Sequence, residues 1–323
     1  MIVTGGAGFI GSNFLNMMVQ RYKDVKFVNI DKLTYAGNPA NLSEIKDEPN
    51  YSFVQEDICS RELEEIVKEG DTIVNFAAES HVDRSISAGD DVFIRTNVNG
   101  VHNLLEIARK KRVKLFLQVS TDEVYGSLGL NSPASTEKDA LEPSSPYSAS
   151  KAAAEMLCMA YHRTFQLPIV ITRSSNNYGP RQYPEKIISK FITNLLEGKK
   201  VPLMHSPENP AKNVRDWLYV EDNCEAISQV LTRGTPGRIY NIGGGNELSN
   251  IKLTKIMLAR MRFDESWIDL VPHRAGHDLR YSLDCTRIKE ELGWRPGVDF
   301  EDGLGKTIEW YKQNKNWWKP LKK

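Results

Sequence analysis

Two pairs of side chains in the sequence have the types and spacing that proton chemistry requires. Asp122 and Glu123 are adjacent carboxylates just after the apolar run 114–119, and two acids past the end of a buried strand can lean into one crevice. Tyr147 and Lys151 are four residues apart where a helix is predicted to begin, so they share one helix face. A lysine beside a phenol favours the phenolate, which predicts a lowered pKa for Tyr147 and a usable base near neutral pH.

Each pair also has a purely structural interpretation. An Asp-Glu dipeptide is more often a solvated pair at a turn, because carboxylates are mostly exposed. Tyrosine and lysine with this spacing also occur on exposed helix surfaces. The choice between a structural and a catalytic role for these pairs therefore depends on the sequence around them.

Three glycines at the start of the chain predict a dinucleotide site. Gly5, Gly8 and Gly11 lie between an apolar strand and the helix-like residues 12–20, where glycine permits a tight turn and lets a helix N-terminus face a pyrophosphate. The next strand ends at Asp31, about 20 residues on, where a carboxylate can accept both ribose hydroxyls. Because Asp31 would repel a 2′-phosphate and Lys32 offsets this only partly, we predict NAD rather than NADP.

Residues after the next two strands complete this prediction. Asp57 follows an apolar pair and is placed to hold the adenine edge, although a helix N-cap is the alternative. Ala77 and Ala78 follow another strand and are small enough to let a nucleotide lie close, with core packing as the alternative.

Short apolar runs alternate with helix-like segments up to about residue 180. The runs 26–30, 72–76, 114–119 and 169–172 read as strands, which predicts an α/β fold with a Rossmann-type, doubly wound parallel sheet. From residue 181, proline, asparagine and charged residues break this pattern. We therefore expect a cofactor domain over 1–180 and a smaller, loop-rich substrate lobe over 181–323, with the chain crossing between them and a ligand cleft where they meet.

Composition excludes several classes of function. The 323 residues carry 42 basic and 42 acidic side chains, so no excess charge indicates nucleic acid or a membrane surface. Four cysteines lack CxxC spacing, and no apolar run reaches the roughly 18 residues of a membrane span. We expect a soluble, cytoplasmic protein. Few residues precede Gly5, which is short for a central strand, so we also expect the natural chain to begin slightly before Met1.

No metal is expected. His273 and His277 have the spacing of helical metal ligands, but Pro272 and Gly276 indicate a loop, where that spacing has no geometric meaning.

Motifs along essentially the whole chain resemble one enzyme family. TGGAGFIGSN, STDEVYG, PSSPYSASKAAAE, SSNNYGPRQYPEK and RDWLYVED are similar to the extended short-chain dehydrogenase/reductases and, within them, to the nucleotide-sugar 4,6-dehydratases. The resemblance implies NAD as cofactor and dTDP-glucose as substrate, with a UDP-sugar as the alternative. It also implies that Tyr147, helped by Lys151, takes the proton of the sugar 4-hydroxyl while hydride leaves C4. Glu123 then takes the C5 proton, and Asp122 gives its proton to the departing C6 hydroxyl.

The resemblance implies further contacts. Those to the cofactor come from residues beside the motifs already named: Phe9, Ile10, Leu33, Thr34, Ile58, Ser80, Thr96 and Asn177. Those to the substrate come from residues on both sides of residue 180: His81, Thr121, Asn176, Lys186, Ile187, Pro202, Met204, Arg215, Asn250, Arg274 and His277. For Arg215, a salt bridge with Asp216 or Glu221 is the structural alternative.

The chain departs from the family in two segments. Residues 205–213 replace a short glycine turn, and His273-Arg-Ala stands where Asp-Arg-Pro is common. Both adjoin the expected base pocket, so the base, thymine or uracil, stays open.

The sequence also leaves two alternative functions to consider and suggests an oligomeric state. A C4-epimerase or UDP-glucuronate decarboxylase has no need of Asp122 and Glu123, and a non-catalytic NAD-binding scaffold has no need of the complete acid and base set. The resemblance implies a homodimer that forms through helices over residues 97–112 and 147–165. The apolar residues there favour the same homodimer, although a single-chain core also explains them: Leu104, Leu105, Ile107, Met156, Leu157, Met159 and Tyr161.

Overall fold

A computed structural model describes residues 1–87, 91–206, 209, 211–273 and 276–322. The strands are β1 (Ile2–Thr4), β2 (Phe27–Asp31), β3 (Tyr51–Gln55), β4 (Thr72–Asn75), β5 (Leu115–Thr121), β6 (Ile169–Ser174), β7 (Asn176–Tyr178), β8 (Val201–Met204), β9 (Val214–Tyr219), β10 (Ile239–Ile242), β11 (Glu247–Ser249) and β12 (Ile268–Val271). The helices are α1 (Phe9–Arg21), α2 (Leu63–Ile66), α3 (Val82–Ser87), α4 (Val92–Ile94), α5 (Val101–Lys110), α6 (Pro146–Phe165), α7 (Ile187–Leu196), α8 (Val220–Arg233), α9 (Asn250–Arg260), α10 (Thr286–Leu292), α11 (Phe300–Gln313) and α12 (Lys315–Trp318).

A parallel sheet forms the centre of the fold. Within the described residues it has seven strands in the order β10-β6-β5-β4-β1-β2-β3, and each neighbouring pair is parallel. The strand order reverses between β1 and β4, and open α/β sheets bind ligands at such a switch point, beyond the carboxyl ends of the strands. The predicted Rossmann-type, doubly wound fold is confirmed.

Helices cover both faces of this sheet. On one face, α1 and α8 bury Phe14, Leu15 and Ile227 against it. On the other, α5 and α6 bury residues that include Leu104 and Cys158. Burial on both faces explains why the strands read as continuous apolar runs.

The later part of the chain contributes to both regions. A sheet of β7, β9 and β11 and a parallel pair of β8 and β12 pack with α7, α9 and α11 around a core of their own. However, β10 returns to the main sheet and pairs with β6, and α8 covers one face of that sheet. The division at residue 180 stays a prediction about sequence organisation, because the chain crosses between the two regions.

Two local features place the catalytic candidates. Strand β5 continues to Thr121, beyond the apolar run, and leads directly into a 3₁₀ turn over Asp122–Tyr125. Helix α6 begins with a capping box between Ser145 and Ser148, with Pro146 in its first turn, and this geometry fixes where its first turn lies. Tyr147 and Lys151 follow in the first two turns.

Other predictions concern membranes and metals. No helix among the described residues has the length and apolar character needed to cross a bilayer. All four cysteines are free. In the described part of the chain, no group of three or more His, Cys, Asp or Glu side chains is arranged to hold a metal ion.

Candidate active site

An open cleft of about 340 Å³ lies beyond the carboxyl ends of the central strands, within the size range of ligand pockets. Most of the predicted site residues line it: Gly5, Gly8, Phe9, Ile10, Gly11, Asp31, Lys32, Thr34, Asp57, Ile58, Ala77, Ala78, Ser80, Thr96, Thr121, Asp122, Glu123, Tyr147, Lys151, Asn176, Asn177, Lys186 and Ile187. The fold therefore brings both motif pairs and the glycine turn to one cavity.

The glycine turn packs too tightly for any side chain. Gly5 has a φ of +69°, and a Cβ there would lie 2.5 Å from the backbone nitrogen of Ala77. A Cβ on Gly11 would lie 2.4 Å from the carbonyl oxygen of Gly5. Glycine at these positions lets the turn and the start of α1 face the cleft with bare backbone, as a pyrophosphate site requires.

Asp31 ends β2 with both carboxylate oxygens in use. Oδ2 accepts the N–H of Ala7 at 2.9 Å, and Oδ1 accepts the N–H of Leu33 at 2.8 Å. Burial raises the pKa of Asp31, and these two backbone hydrogen bonds oppose the shift. Because a carboxylate has about four lone-pair sites, acceptor capacity remains for ribose hydroxyls. Leu33 itself does not line the cleft and acts on it only through its N–H group.

Asp57 is held by two cations. Its Oδ2 lies 2.8 Å from the Lys32 ammonium and 3.4 Å from the Arg95 guanidinium, and its Oδ1 accepts the N–H of Cys59. Burial raises the pKa of Asp57, but hydrogen bonds from Lys32 and Cys59 outweigh burial and lower it overall. The N-cap of α2 is Glu62, so Asp57 does not cap that helix.

The acid pair is not a solvated pair at a turn. Asp122 is only 3% exposed, and its Oδ2 has no hydrogen-bond partner among the described residues. Burial raises the pKa of Asp122 well above its usual range, and the neighbouring Glu123 raises it further, while Arg215 opposes the shift. Burial and Glu123 therefore favour the protonated form of Asp122, which is the form that a general acid requires.

Thr121 connects the members of this pair. Its Oγ1 donates to Asp122 Oδ1 at 3.2 Å and accepts the N–H of Glu123 at 3.3 Å. The hydroxyl thus orients the first turn after the strand.

Tyr147 and Lys151 are both buried, so they are not an exposed helix pair. The Lys151 ammonium donates to the carbonyl oxygen of Val119 at 2.7 Å, and burial lowers the pKa of Lys151 to about 8. Burial raises the pKa of Tyr147, Glu123 and Asp122 raise it further, and a hydrogen bond with Thr121 opposes them. The predicted lowering of the Tyr147 pKa is therefore wrong for this structure, because burial and two carboxyl groups dominate its surroundings.

Several buried polar groups of cleft-lining residues lack hydrogen-bond partners within the described residues, among them the side-chain oxygen of Asn176 and the indole N–H of Trp217. These two residues are neighbours across strands β7 and β9. Unsatisfied buried polar groups are costly unless a ligand or water completes them. Nearby, Lys186 donates to the carbonyl oxygen of Ser80 at 2.9 Å, and Asn177 accepts from Asn223.

His81 and Arg215 lie beside the cleft but do not line it. His81 Nε2 is 3.4 Å from Glu185 Oε2, and Glu185 does line the cleft. Arg215 stacks over the ring of Tyr281 and donates to the carbonyl oxygens of Val214 and Asp278. The carboxylate of Asp216 instead accepts the N–H groups of Gly244 and Asn246, so it is not the partner of Arg215.

The predicted base-side residues are spread over other elements. Pro202 and Met204 lie on β8 and pair with β12. Asn250 is buried at the start of α9, where its N–H donates to the carbonyl oxygen of Asn213. His277 lies in a loop with its Nδ1 atom 2.9 Å from that of His273, and Arg274 lies outside the described residues. None of these four described residues lines the cleft.

The sequence analysis missed Glu185 and Tyr183, which line the cleft, and Tyr35, which contacts both. Glu185 accepts a hydrogen bond from the hydroxyl of Tyr35 at 3.0 Å, and the ring of Tyr35 packs edge-on against Tyr183. The signal was present in the YPEK segment, where Glu185 directly precedes the predicted Lys186.

Comparison with known proteins identifies the family. A family model described as GDP-mannose 4,6 dehydratase matches residues 2–307. The dTDP-glucose 4,6-dehydratase of Streptomyces griseus is 47% identical over 99% of this chain and 96% of its own. The low-salt glycan biosynthesis protein Agl12 of Haloferax volcanii is 48% identical over 96% of this chain and 98% of its own.

Solved structures agree with these relatives. The dTDP-glucose 4,6-dehydratase DesIV from Streptomyces venezuelae, with NAD and TYD bound, has a TM-score of 0.95 and 50% identity, covering 99% of each chain. A UDP-glucuronic acid 4-epimerase from Bacillus cereus has a TM-score of 0.89 at 26% identity, covering 97% of this chain and 98% of its own. Because the family model and the relatives span nearly the whole sequence, the chain belongs to the GDP-mannose 4,6 dehydratase family.

Proposed function

We propose that the protein is an NAD-dependent dTDP-glucose 4,6-dehydratase, which converts dTDP-glucose to dTDP-4-keto-6-deoxyglucose and water. The observation that carries this proposal is the buried Asp122, whose pKa is raised well above its usual range, next to Glu123 in the cleft that also holds Tyr147 and Lys151. Oxidation alone needs only a base, whereas loss of the C6 hydroxyl needs an acid and a second base.

The cleft fits a nicotinamide dinucleotide. Bare backbone at Gly5 and Gly11 leaves room for a pyrophosphate at the start of α1, and Asp31 keeps acceptor capacity for ribose hydroxyls. When bound, NAD would supply the hydride acceptor for C4 and, once reduced, the hydride donor for C6. The NAD-bound DesIV structure supports the same site here.

The chain's own residues carry the proton transfers. Tyr147 takes the proton of the C4 hydroxyl, and the resulting ketone acidifies the hydrogen at C5. Glu123 removes that C5 proton while Asp122 gives its proton to the C6 hydroxyl, which leaves as water. Glu123 afterwards returns a proton to C5. Tyr147 has then gained one proton and Asp122 has lost one, so a proton must pass from Tyr147 to Asp122, directly or through water, before the next turnover. To act as the base at the C4 hydroxyl, Tyr147 must be ionised, and the ammonium of Lys151 favours the phenolate against the burial and the two carboxyl groups that raise the Tyr147 pKa.

The substrate residues remain part of the proposal. Asn176 and Lys186 line the cleft, and we assign both to the diphosphate, with His81 and Thr121 near the hexose. Arg215 offers a further buried cation. We assign Pro202, Met204, Asn250, Arg274 and His277 to the nucleotide side, and the cofactor and nucleotide-sugar regions to residues 1–180 and 181–323.

The alternatives differ in their products. A UDP-sugar 4,6-dehydratase would use the same cleft with another base, an epimerase would release no water, and a scaffold would bind NAD without turnover. We therefore incubate the protein with dTDP-glucose and UDP-glucose separately, follow the alkali-induced absorbance of a 4-keto sugar, and detect loss of one water by mass spectrometry. Absence of product from both sugars would refute the proposal.

We also infer a cytoplasmic homodimer that uses α5 and α6. The apolar residues that led to this prediction are mostly accounted for within the chain, because Leu104, Leu105 and Ile107 belong to its own core. Met156 and Phe165 on α6 nevertheless remain 48% exposed each. Light scattering that detects only a 36.6 kDa species at micromolar concentration would contradict the dimer. Four free cysteines support a reducing compartment.

A further inference from the structure

The turn that carries the acid pair ends in a buried tyrosine. Tyr125, at the end of the 3₁₀ turn, is 7% exposed and does not line the cleft. Its hydroxyl accepts from Arg173 Nη1 at 2.7 Å and donates to Asn241 Oδ1 at 2.8 Å. Burial raises the pKa of Tyr125 to about 12, so the phenol keeps the proton that it donates.

Arg173 links this tyrosine to the helix of the catalytic base. Its guanidinium lies over the Tyr125 ring at 4.6 Å, and its Nε and Nη2 atoms donate to the Glu155 carboxylate at distances from 2.6 to 3.2 Å. Arg173 and Glu155 are only 2% and 0% exposed. Glu155 lies on α6 one turn after Lys151, so the two side chains share a helix face.

Helix α6 is held against the neighbouring strand and turn by the apolar cluster of Ala152 with Val124 and Tyr125, by the hydrogen bond between Tyr147 and Thr121, and by two further polar connections. One is the bond from Lys151 to the Val119 carbonyl on β5, and the other is the chain Glu155–Arg173–Tyr125. Tyr147 and Lys151 lie on helix α6, whereas Asp122 and Glu123 lie on the 3₁₀ turn. Their relative placement depends on these connections.

A buried ion pair is a weak source of stability, since apolar packing of equal volume is often as stable. Its bidentate geometry does, however, fix the positions of the groups that it joins. We propose that Tyr125 is a positioning residue that, through Arg173 and Glu155, fixes Asp122 and Glu123 relative to Tyr147 and Lys151. The inference rests on the proposed function, because it assigns the turn to water elimination and the helix to C4 oxidation.

This arrangement separates the two steps. Tyr125→Phe removes the hydroxyl but keeps the ring under Arg173, and it leaves both the Lys151–Val119 bond and the Arg173–Glu155 pair in place. Oxidation at C4 is expected to proceed, while elimination slows because the acid pair is no longer held. Misplacement by about 1 Å can cost roughly a hundredfold in rate, so we expect elimination to slow by about tenfold or more.

The experiment is a single turnover of the NAD-loaded enzyme with dTDP-glucose, in which NADH absorbance and 4-keto product are followed together. Tyr125→Phe is expected to accumulate NADH and form product slowly. Tyr240→Phe is the matched control, because Tyr240 is fully buried, accepts from the N–H of Thr235 and donates to Glu291, yet does not line the cleft. It is expected to lose similar thermal stability without accumulating NADH.

Three outcomes overturn the inference. Tyr125→Phe could consume NADH at the wild-type rate, which would leave the hydroxyl without a role in placing the acid pair. Both tyrosine variants could slow oxidation and elimination equally, which would mean that Tyr125 contributes only to folding. A wild-type enzyme that forms neither NADH nor product would overturn the proposed function and the positioning role with it, and the wild-type trace distinguishes this case from the others.

Discussion

The ammonium of Lys32 lies 2.8 Å from the carboxylate of Asp57, directly beyond the strand that ends in Asp31. Lys32, which directly follows Asp31, is therefore already paired with a carboxylate. Its charge is largely compensated, and it offers little attraction to a 2′-phosphate. The preference for NAD thus rests on Asp31 together with the engagement of Lys32.

Two substitutions test this cofactor preference. Asp57→Asn releases Lys32 while keeping a side-chain oxygen beside the adenine site, and because exposed ion pairs are worth about 0.2–1 kcal/mol, NADP affinity is expected to rise by up to about fivefold relative to NAD affinity. Asp31→Asn removes a charged acceptor worth about 1.5–3 kcal/mol, so NAD affinity is expected to fall by roughly tenfold or more. Calorimetric titration of cofactor-stripped protein measures both. Asp47→Asn, at an exposed carboxylate, is the control, and equal preference for both cofactors in the wild type would contradict the argument.

Replacing Asp122 by Asn separates oxidation from elimination by removing the acid itself. Asparagine keeps the shape of the protonated carboxyl group, so the fold is expected to persist. Without the proton donor, release of the C6 hydroxyl is expected to slow by roughly 10²–10⁴-fold, and enzyme-bound NADH is expected to accumulate when dTDP-glucose is added.

The other members of the site supply the comparison. Glu123→Gln blocks removal of the C5 proton and is expected to accumulate NADH in the same way. Tyr147→Phe is expected to yield neither NADH nor product, because oxidation cannot begin. Wild-type turnover by Asp122→Asn would show that the buried carboxyl group is not the acid.

The buried Lys151 gives the protein a measurable pH dependence of stability. Burial lowers its pKa to about 8 from an ordinary value of 10.5, so in that interval the unfolded chain binds more protons than the folded one. The free energy of unfolding must then rise with pH across the interval. Relative to Lys151→Met, the wild type is expected to gain about 3 kcal/mol, measured by urea denaturation at several pH values.

The control for that series is Lys46→Met, since the Lys46 side chain is 68% exposed. Its stability difference from the wild type is expected to stay flat over the same pH interval. A flat difference for Lys151→Met as well would show that Lys151 titrates normally in the folded protein.

The glycine turn can be tested with a matched pair of substitutions. Gly5 and Gly198 both have a φ of +69°, but a Cβ on Gly5 would lie 2.5 Å from Ala77 backbone, whereas Gly198 has no neighbour within 4 Å. Gly198→Ala is expected to cost about 1–2 kcal/mol from the left-handed conformation alone. Gly5→Ala is expected to cost clearly more and to weaken NAD binding, as thermal unfolding and cofactor titration would detect. Equal costs for both would contradict close backbone packing at Gly5.

Much of the sheet could be predicted because its strands are buried on both faces. The run that ends in Val119 has apolar residues on both faces of β5, and such runs show clearly in a sequence. Strand β10 was not predicted as part of this sheet, because Ile239–Ile242 is short and follows a region without the alternating pattern. Which sheet a short strand joins depends on contacts with β6 that lie far away in the sequence.

The pKa shifts in the site were harder to predict from the sequence than the identity of its residues. Tyr147 and Lys151 were correctly placed on one helix, but the direction of the Tyr147 pKa shift depends on the nearness of Asp122 and Glu123 and on burial. Glu185 directly precedes the predicted Lys186, but it was missed because its place at the cleft follows from the path of residues 182–187. Sequence patterns identify chemical groups, whereas their protonation states depend on the folded surroundings.

The position of β10 has a consequence for the folding of the chain during its synthesis on the ribosome. When Ser174 has been synthesised, β6 is the last strand of a growing sheet, and its outer edge has hydrogen-bonding groups without partners until residue 242 has also emerged. At about 5–20 residues per second this interval lasts several seconds. During that time the nascent chain exposes an unpaired, apolar strand edge of the kind that promotes aggregation. We therefore expect ribosome-associated chaperones to bind the β6 region before β10 pairs with it.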